Sequence, residues 1–169
     1  KLVEFEHAQP DTQSELVFQE LFADPDWAVL YDLAQEYKVN IMTYLDETII
    51  TPKAEDKYVE IESRINKMKV RQVEDFKSFV NFPVTKCLMV EDGDYLAGVE
   101  QKVKARVGET LSVLRSEPFF LEVMPKNIDK AYSLGKLLEH MGLTKEEMIA
   151  CGDGFNDRSM IEFAGLGVA

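Results

Sequence analysis

The segment that most restricts the fold is a short apolar strand followed at once by a glycine-rich acidic loop. Residues 148–151, Met-Ile-Ala-Cys, are apolar throughout, as expected for a strand that is covered on both faces. The loop Gly-Asp-Gly-Phe-Asn-Asp at 152–157 follows and opens a predicted helix over 156–164. With a predicted helix over 129–141 and a last apolar strand after residue 164, the order is helix, strand, helix, strand. This alternation predicts part of a parallel, doubly wound α/β sheet.

The region before this segment has a different pattern. Residues 24–118 mix predicted hairpins with helices, for example strands at 39–45 and 48–51 joined by Asp46-Glu47. We therefore predict a separate α+β domain over 24–118. Residues 1–23 are predicted to contain two strands of a core or linker segment, and 119–169 the C-terminal part of the core.

Charge and apolar content exclude several classes of protein. The net charge of −12 repels polyanions, and no basic stripe offsets it, so nucleic acid is not an expected partner. No apolar run approaches the ~18 residues that a membrane span needs. Cys87 and Cys151 lie in apolar stretches, which predicts buried, reduced thiols in a cytoplasmic protein.

The acidic loop carries the chemistry. In open α/β sheets, ligands bind outside the carboxyl ends of the strands, where this loop must lie. Asp153, Asn156 and Asp157 offer hard oxygen ligands of the kind that Mg²⁺ prefers. The plainer interpretation is a turn whose polar residues cap the next helix, and Asn156 is a good helix cap. Two acids four residues apart after an apolar strand favour a metal site.

Lys130 is the second candidate. Asp129 is a predicted N-cap, which places Lys130 in the first turn of a helix. A cation is disfavoured there because that helix end is already positive, and most lysines are simply solvated. Beside a phosphate or an aspartate nucleophile, however, the same charge would be useful.

These segments resemble the haloacid dehalogenase-like superfamily, in particular its Cof-like branch of sugar-phosphate phosphatases. The likeness lies in residues 119–130, 137–143, 148–157 and 160–169. It implies an α/β fold in which a Rossmann-like parallel-sheet core carries an α+β cap domain, here residues 24–118. It also implies a Mg²⁺-dependent hydrolysis of small phosphorylated metabolites.

The resemblance assigns roles by position. Lys130 is similar to the lysine that steadies the nucleophile and the substrate phosphate, and Asp153 to the aspartate that binds magnesium. Asp157 is similar to its partner, which holds metal-bound water or Lys130 in place. Asn156 is similar to an asparagine that reaches the metal or the phosphate. The implied metal ligands are thus Asp153, Asn156 and Asp157. One departure is Ala131, where many relatives have glycine.

The family's nucleophile has no counterpart in this sequence. It belongs to an Asp-x-Asp motif after an N-terminal strand, and its first aspartate forms an aspartyl-phosphate. Asp92-Gly93-Asp94 and Asp24-Pro25-Asp26 each open a predicted helix inside the cap instead. We therefore expect a fragment that is inactive by itself and that, because its sheet is truncated, either associates with itself or is stabilised mainly by its cap.

Two other functions stay open at this point. One is a non-catalytic binding module with the same fold. The other is the cytoplasmic domain of a P-type ion pump, which shares the Gly-Asp-Gly-x-Asn-Asp loop but also needs an Asp-Lys-Thr-Gly site that this sequence lacks.

The cap hairpin around Tyr44 and the side chain of Arg115 are candidates for substrate selection. The plainer interpretations are that Tyr44 packs in the core and that Arg115 pairs with Glu117.

Overall fold

The computed structural model describes residues 4–5, 15–16, 26–126, 128–154 and 157–169. The chain forms two compact units, one of residues 21–126 and one of residues 1–20 together with 127–169. In chain order the elements are β1 (Glu4–Phe5), β2 (Glu15–Leu16), α1 (Asp26–Glu36), β3 (Asn40–Leu45), β4 (Thr48–Thr51), α2 (Lys57–Asn66), β5 (Lys69–Gln72), α3 (Phe76–Phe79), β6 (Cys87–Val90), α4 (Gly93–Val107), β7 (Leu111–Glu117), β8 (Phe120–Pro125), α5 (Lys130–Met141), a 3₁₀ turn (Lys145–Glu147), β9 (Ile149–Cys151), α6 (Arg158–Phe163) and β10 (Leu166–Val168).

The larger unit is built on a six-stranded mixed sheet in the order β5-β4-β3-β6-β8-β7. The pair β4–β5 is parallel and the other neighbouring strands are antiparallel. Helices α1, α2 and α4 were predicted, whereas β5 and α3 were not. The sheet also takes in β8, because this strand pairs with both β6 and β7. Residues 120–125 therefore belong to the larger unit and not to the predicted segment 119–169.

Alternation along the strands gives this sheet two apolar faces. Met89 of β6 packs in the cluster that contains the buried residues of α1 and α4. Its neighbour Leu88 packs in a second cluster with Tyr58 and Val59 of α2. The sheet is thus covered by helices on both sides, and α2 lies alone on the second face among the described helices.

The smaller unit contains the parallel pair that the sequence predicts. β9 and β10 run parallel, with Ala150 opposite Gly167, and α6 connects them. α5 precedes them and is capped by Gly142. The φ of Gly142 is 68°, a left-handed conformation that favours glycine because it has no Cβ, as predicted for this position. β1 and β2 pair antiparallel, and the rest of the predicted strands at 1–7 and 15–22 lies outside the described residues.

The two cysteines differ in their surroundings. Both are free thiols, and Cys87 is buried as predicted. The prediction for Cys151 is wrong, because its side chain is exposed. Only the middle residue of β9, Ala150, is buried, so one face of this strand is left uncovered by the described residues. Ile149, Leu166 and Val168 are exposed too, and self-association stays a prediction.

No helix within the described part of the chain is both long and apolar enough to cross a membrane.

Candidate active site

Lys130, the lysine predicted to serve the site, is the first residue of α5. The Asp129 carboxylate accepts a hydrogen bond from the backbone N–H of Tyr132 at 2.8 Å, which is the predicted N-cap. The hydroxyl of buried Ser133 donates to the Asp129 carbonyl oxygen at 3.0 Å and tightens the same turn. The backbone of Lys130 is therefore fixed by its neighbours, and only its side chain has to be oriented.

The Lys130 ammonium contacts the Asp157 carboxylate through Oδ1. Asp157 stands just before α6, and the exposed fractions of the two side chains are 29% for Lys130 and 10% for Asp157. The other carboxylate oxygen, Oδ2, accepts the N–H of Gly154 at 3.1 Å. Asp157 makes no side-chain cap hydrogen bond to α6, so helix capping does not explain this residue.

These contacts keep Asp157 ionised. The hydrogen bond from Lys130 holds the pKa of the Asp157 carboxyl below its usual range, with a further contribution from the Gly154 N–H. A carboxylate that accepts from a lysine and a backbone amide is a fixed acceptor. Its position in turn orients the ammonium.

Gly152 makes room for this carboxylate. A Cβ at this position would lie 2.4 Å from the Asp157 Cβ and 2.6 Å from its Cγ, far inside ordinary contact. The side chain of Asp157 thus rests on the backbone of Gly152. The sequence pattern does not predict this packing contact, because it depends on how the loop folds back.

The proposed metal ligands are only partly described. Asp153 is exposed and lines a cavity of about 460 Å³ together with Gly152, Gly154 and the Arg158–Glu162 ion pair. Asn156 lies outside the described residues. Within the described ranges no three acidic, histidine or cysteine side chains gather in one place. The carboxylates of Asp153 and Asp157 fit a hard cation such as Mg²⁺ in kind, but they provide only part of a ligand set.

The two substrate-selection candidates lie in the larger unit. Arg115 pairs with Glu100 of α4 through Nε at 2.8 Å, and it also donates to the carbonyl of Pro118 at 3.3 Å. The prediction that Arg115 pairs with Glu117 is therefore wrong, because the fold brings α4 against β7. Tyr44 packs against the α2 cluster and donates its hydroxyl to Glu62 at 2.6 Å.

Comparison with known proteins agrees with this architecture. Residues 8–169 match the family model of haloacid dehalogenase-like hydrolases. A crystal structure of a haloacid dehalogenase-like hydrolase from Bacteroides thetaiotaomicron is 44% identical with a TM-score of 0.83, over 89% of this chain and 56% of that one.

Two curated relatives from Bacillus subtilis are also similar. YxeH is 27% identical over 85% of this chain and 54% of its own length. The 5-amino-6-(5-phospho-D-ribitylamino)uracil phosphatase YcsE is 40% identical over 47% of this chain and 31% of its own length.

The fold and the loop after β9 define an α/β domain of the haloacid dehalogenase-like class. The chain belongs to the haloacid dehalogenase-like hydrolase family. It spans about half the length of the first relatives that it matches.

Proposed function

We propose that this chain supplies the lysine and metal-binding half of a magnesium-dependent phosphatase site in a longer cytoplasmic protein that hydrolyses small phosphate esters. The observation that carries the proposal is the contact between Lys130 and Asp157, two residues 27 positions apart in the sequence. An ammonium held against a largely buried carboxylate at the end of a parallel strand is suited to phosphate.

Lys130 would provide positive charge at the reacting phosphate. Phosphoryl transfer depends mainly on positioning and on neutralising oxygen charges. A lysine has three N–H donors, so an ammonium that gives one to Asp157 has two for a phosphate oxygen and an attacking carboxylate. Asp157 is the positioning residue in this scheme, since both of its oxygens already accept from Lys130 and Gly154.

Asp153 and Asn156 would hold the magnesium ion. When bound, Mg²⁺ supplies further positive charge against the phosphate oxygens. The exposed carboxylate of Asp153 is the better ligand of the two acids, because the oxygens of Asp157 are engaged by donors.

The nucleophile would come from another part of the protein, because the two Asp-x-Asp sequences of this chain, at 24–26 and 92–94, both lie in the larger unit, where Asp92 caps α4. Its carboxylate oxygen would form a bond to phosphorus while the bond from phosphorus to the leaving oxygen breaks. Water would then hydrolyse the aspartyl-phosphate to release inorganic phosphate. The present chain alone should not turn over.

Small phosphorylated metabolites are the proposed substrates. Similar proteins include YcsE, whose name describes a phosphatase of a phosphoribityl compound, and a Cronobacter sakazakii HMP-PP phosphatase. A binding module without catalysis is the second hypothesis. The intact pair of Lys130 and Asp157 favours an enzyme, since a binding module has no need to hold a nucleophile and a phosphate together.

The full-length protein tests the proposal. Release of inorganic phosphate from a panel of sugar and polyol phosphates should require MgCl₂ and stop with EDTA. Lys130→Met should lower kcat by about 10²–10³-fold, the range seen when one charge-stabilising donor is removed. Lys136→Met, on the same helix, is the matched control and should stay within about twofold. A wild-type protein without magnesium-dependent hydrolysis would end the proposal, and so would full activity of Lys130→Met.

A further inference from the structure

The chain contains two Asp-Gly dipeptides, Asp92-Gly93 in the larger unit and Asp153-Gly154 in the loop after β9. In such a pair the glycine has no Cβ that would hinder its nitrogen from approaching the aspartate Cγ. Attack of the nitrogen on Cγ closes a succinimide ring, while the nitrogen loses its proton and the carboxyl group its OH, together one water. Water then adds to the former backbone carbonyl and leaves isoaspartate, so the overall reaction needs no other reactant.

Helix α4 holds the first of these dipeptides. Asp92 is the N-cap, and its Oδ1 accepts the N–H of Asp94 at 3.1 Å, while its carbonyl oxygen accepts the N–H of Leu96 at 2.8 Å. Gly93 lies close to Pro118, because a Cβ on Gly93 would be 3.0 Å from the Pro118 Cβ. Ring closure at Asp92 would therefore disrupt the cap and the first turn of a 15-residue helix.

The second dipeptide lies outside any helix or strand. The Asp153 side chain is exposed and makes no hydrogen bond or ion pair with the residues that the structure describes, so it is free to rotate. The glycine is restrained by Asp157, whose Oδ2 accepts the Gly154 N–H at 3.1 Å and whose own N–H donates to the Gly154 carbonyl oxygen at 2.9 Å. One hydrogen bond to a carboxylate thus restrains the nitrogen that would attack.

We propose that Asp153-Gly154 is a site of spontaneous isoaspartate formation, which the hydrogen bond from Gly154 to Asp157 slows. Loss of that bond frees the nitrogen, and the Asp153 carboxyl group can then rotate toward it. Isoaspartate adds one CH₂ group to the loop backbone and moves the carboxylate to another carbon, so the loop loses its exposed carboxylate ligand. A magnesium ion on Asp153 would hold the carboxylate away from the nitrogen, and this part of the inference alone rests on the proposed function.

Peptide mapping of this chain after prolonged incubation at neutral pH tests the inference. Endoproteinase Asp-N cleaves before aspartate but not before isoaspartate, and it should progressively fail to cut at position 153 while it still cuts at position 92. Asp157→Ala should speed the loss at 153 about tenfold, the effect of removing a hydrogen bond to a charged group. The matched control is Lys130→Met, which removes the ion pair of Asp157 but leaves the Gly154 bond in place. Isoaspartate at neither position, equal amounts at both, or equal rates in the two variants would overturn the inference.

The same mapping of the full-length protein, with MgCl₂ or with EDTA, tests the protection by metal. MgCl₂ should slow isoaspartate formation at position 153 and leave position 92 as it is with EDTA. If MgCl₂ supports ester hydrolysis but does not slow the reaction at 153, the protection is refuted while the proposed function stands. If the full-length protein hydrolyses no ester, the proposed function fails, whereas isoaspartate at 153 in the metal-free chain would still confirm the labile bond.

Discussion

Replacing Gly152 with alanine tests how tightly the site is packed. The new Cβ would lie 2.4 Å from the Asp157 Cβ, whereas ordinary contact begins at 3.4 Å, so the two atoms must separate by 3.4 − 2.4, or about 1 Å. The Gly154 N–H and the Lys130 ammonium both depend on the present position of that carboxylate. A misplacement of about 1 Å in a catalytic site lowers the rate by ~10²-fold. That corresponds to roughly 2.7 kcal/mol of transition-state stabilisation.

The assay is kcat of the full-length protein, combined with a crystal structure of the variant chain. Gly98→Ala is the matched control, because nothing lies within 4 Å of a Cβ at that exposed position in α4. It should raise the free energy of unfolding by roughly 0.5–1 kcal/mol and leave kcat unchanged. The reasoning is refuted if Gly152→Ala keeps wild-type kcat, or if its structure shows Asp157 unmoved and still in contact with Lys130.

Two further predictions concern the larger unit and the free thiols. Burial raises the pKa of the Cys87 thiol to about 12, whereas Cys151 is exposed. Iodoacetamide at pH 8 should therefore label Cys151 alone. Mass spectrometry of the digested chain measures the labelling, and modified Cys87 would contradict the prediction. Burial raises the pKa of the Glu100 carboxyl, but hydrogen bonds from Lys104 and Arg115 outweigh it and hold the pKa below its usual range. The stabilisation from this carboxylate is therefore present above its unfolded-state pKa of ~4.3 and is lost as pH falls through the lower folded-state pKa. In urea unfolding, Glu100→Gln should be about 1–3 kcal/mol less stable than wild type at pH 7, with a smaller difference at pH 3. An equal difference at both pH values would show that the Glu100 carboxylate is not the source of the stabilisation.

Local signals in the sequence were reliable guides. The Asp129 cap and the left-handed Gly142 each depend on a few adjacent residues, and both were predicted. The parallel pair of β9 and β10 was predicted from the alternation of helices and strands after residue 129. The sequence also singled out Lys130 and Asp157, which the fold brings into contact.

Features that depend on tertiary packing could not be predicted. Arg115 has a carboxylate two residues away at Glu117, yet it pairs with Glu100 because α4 lies against β7. The apolar sequence of β9 predicted cover on both faces, whereas the structure leaves Cys151 exposed. Lys86, just before β6, forms an ion pair with Glu122 of β8 at 3.6 Å across 36 residues of sequence, and no spacing rule links them.

The ammonium of Lys130, the carboxylate that orients it and the glycine beneath that carboxylate all come from one uninterrupted stretch, residues 130–157. None of their mutual contacts passes through residues 26–126. Loop lengths and side chains in that long insertion can therefore diverge between relatives without shifting this cation relative to its counter-ion. Substitutions can accumulate in the one part while the other keeps its geometry.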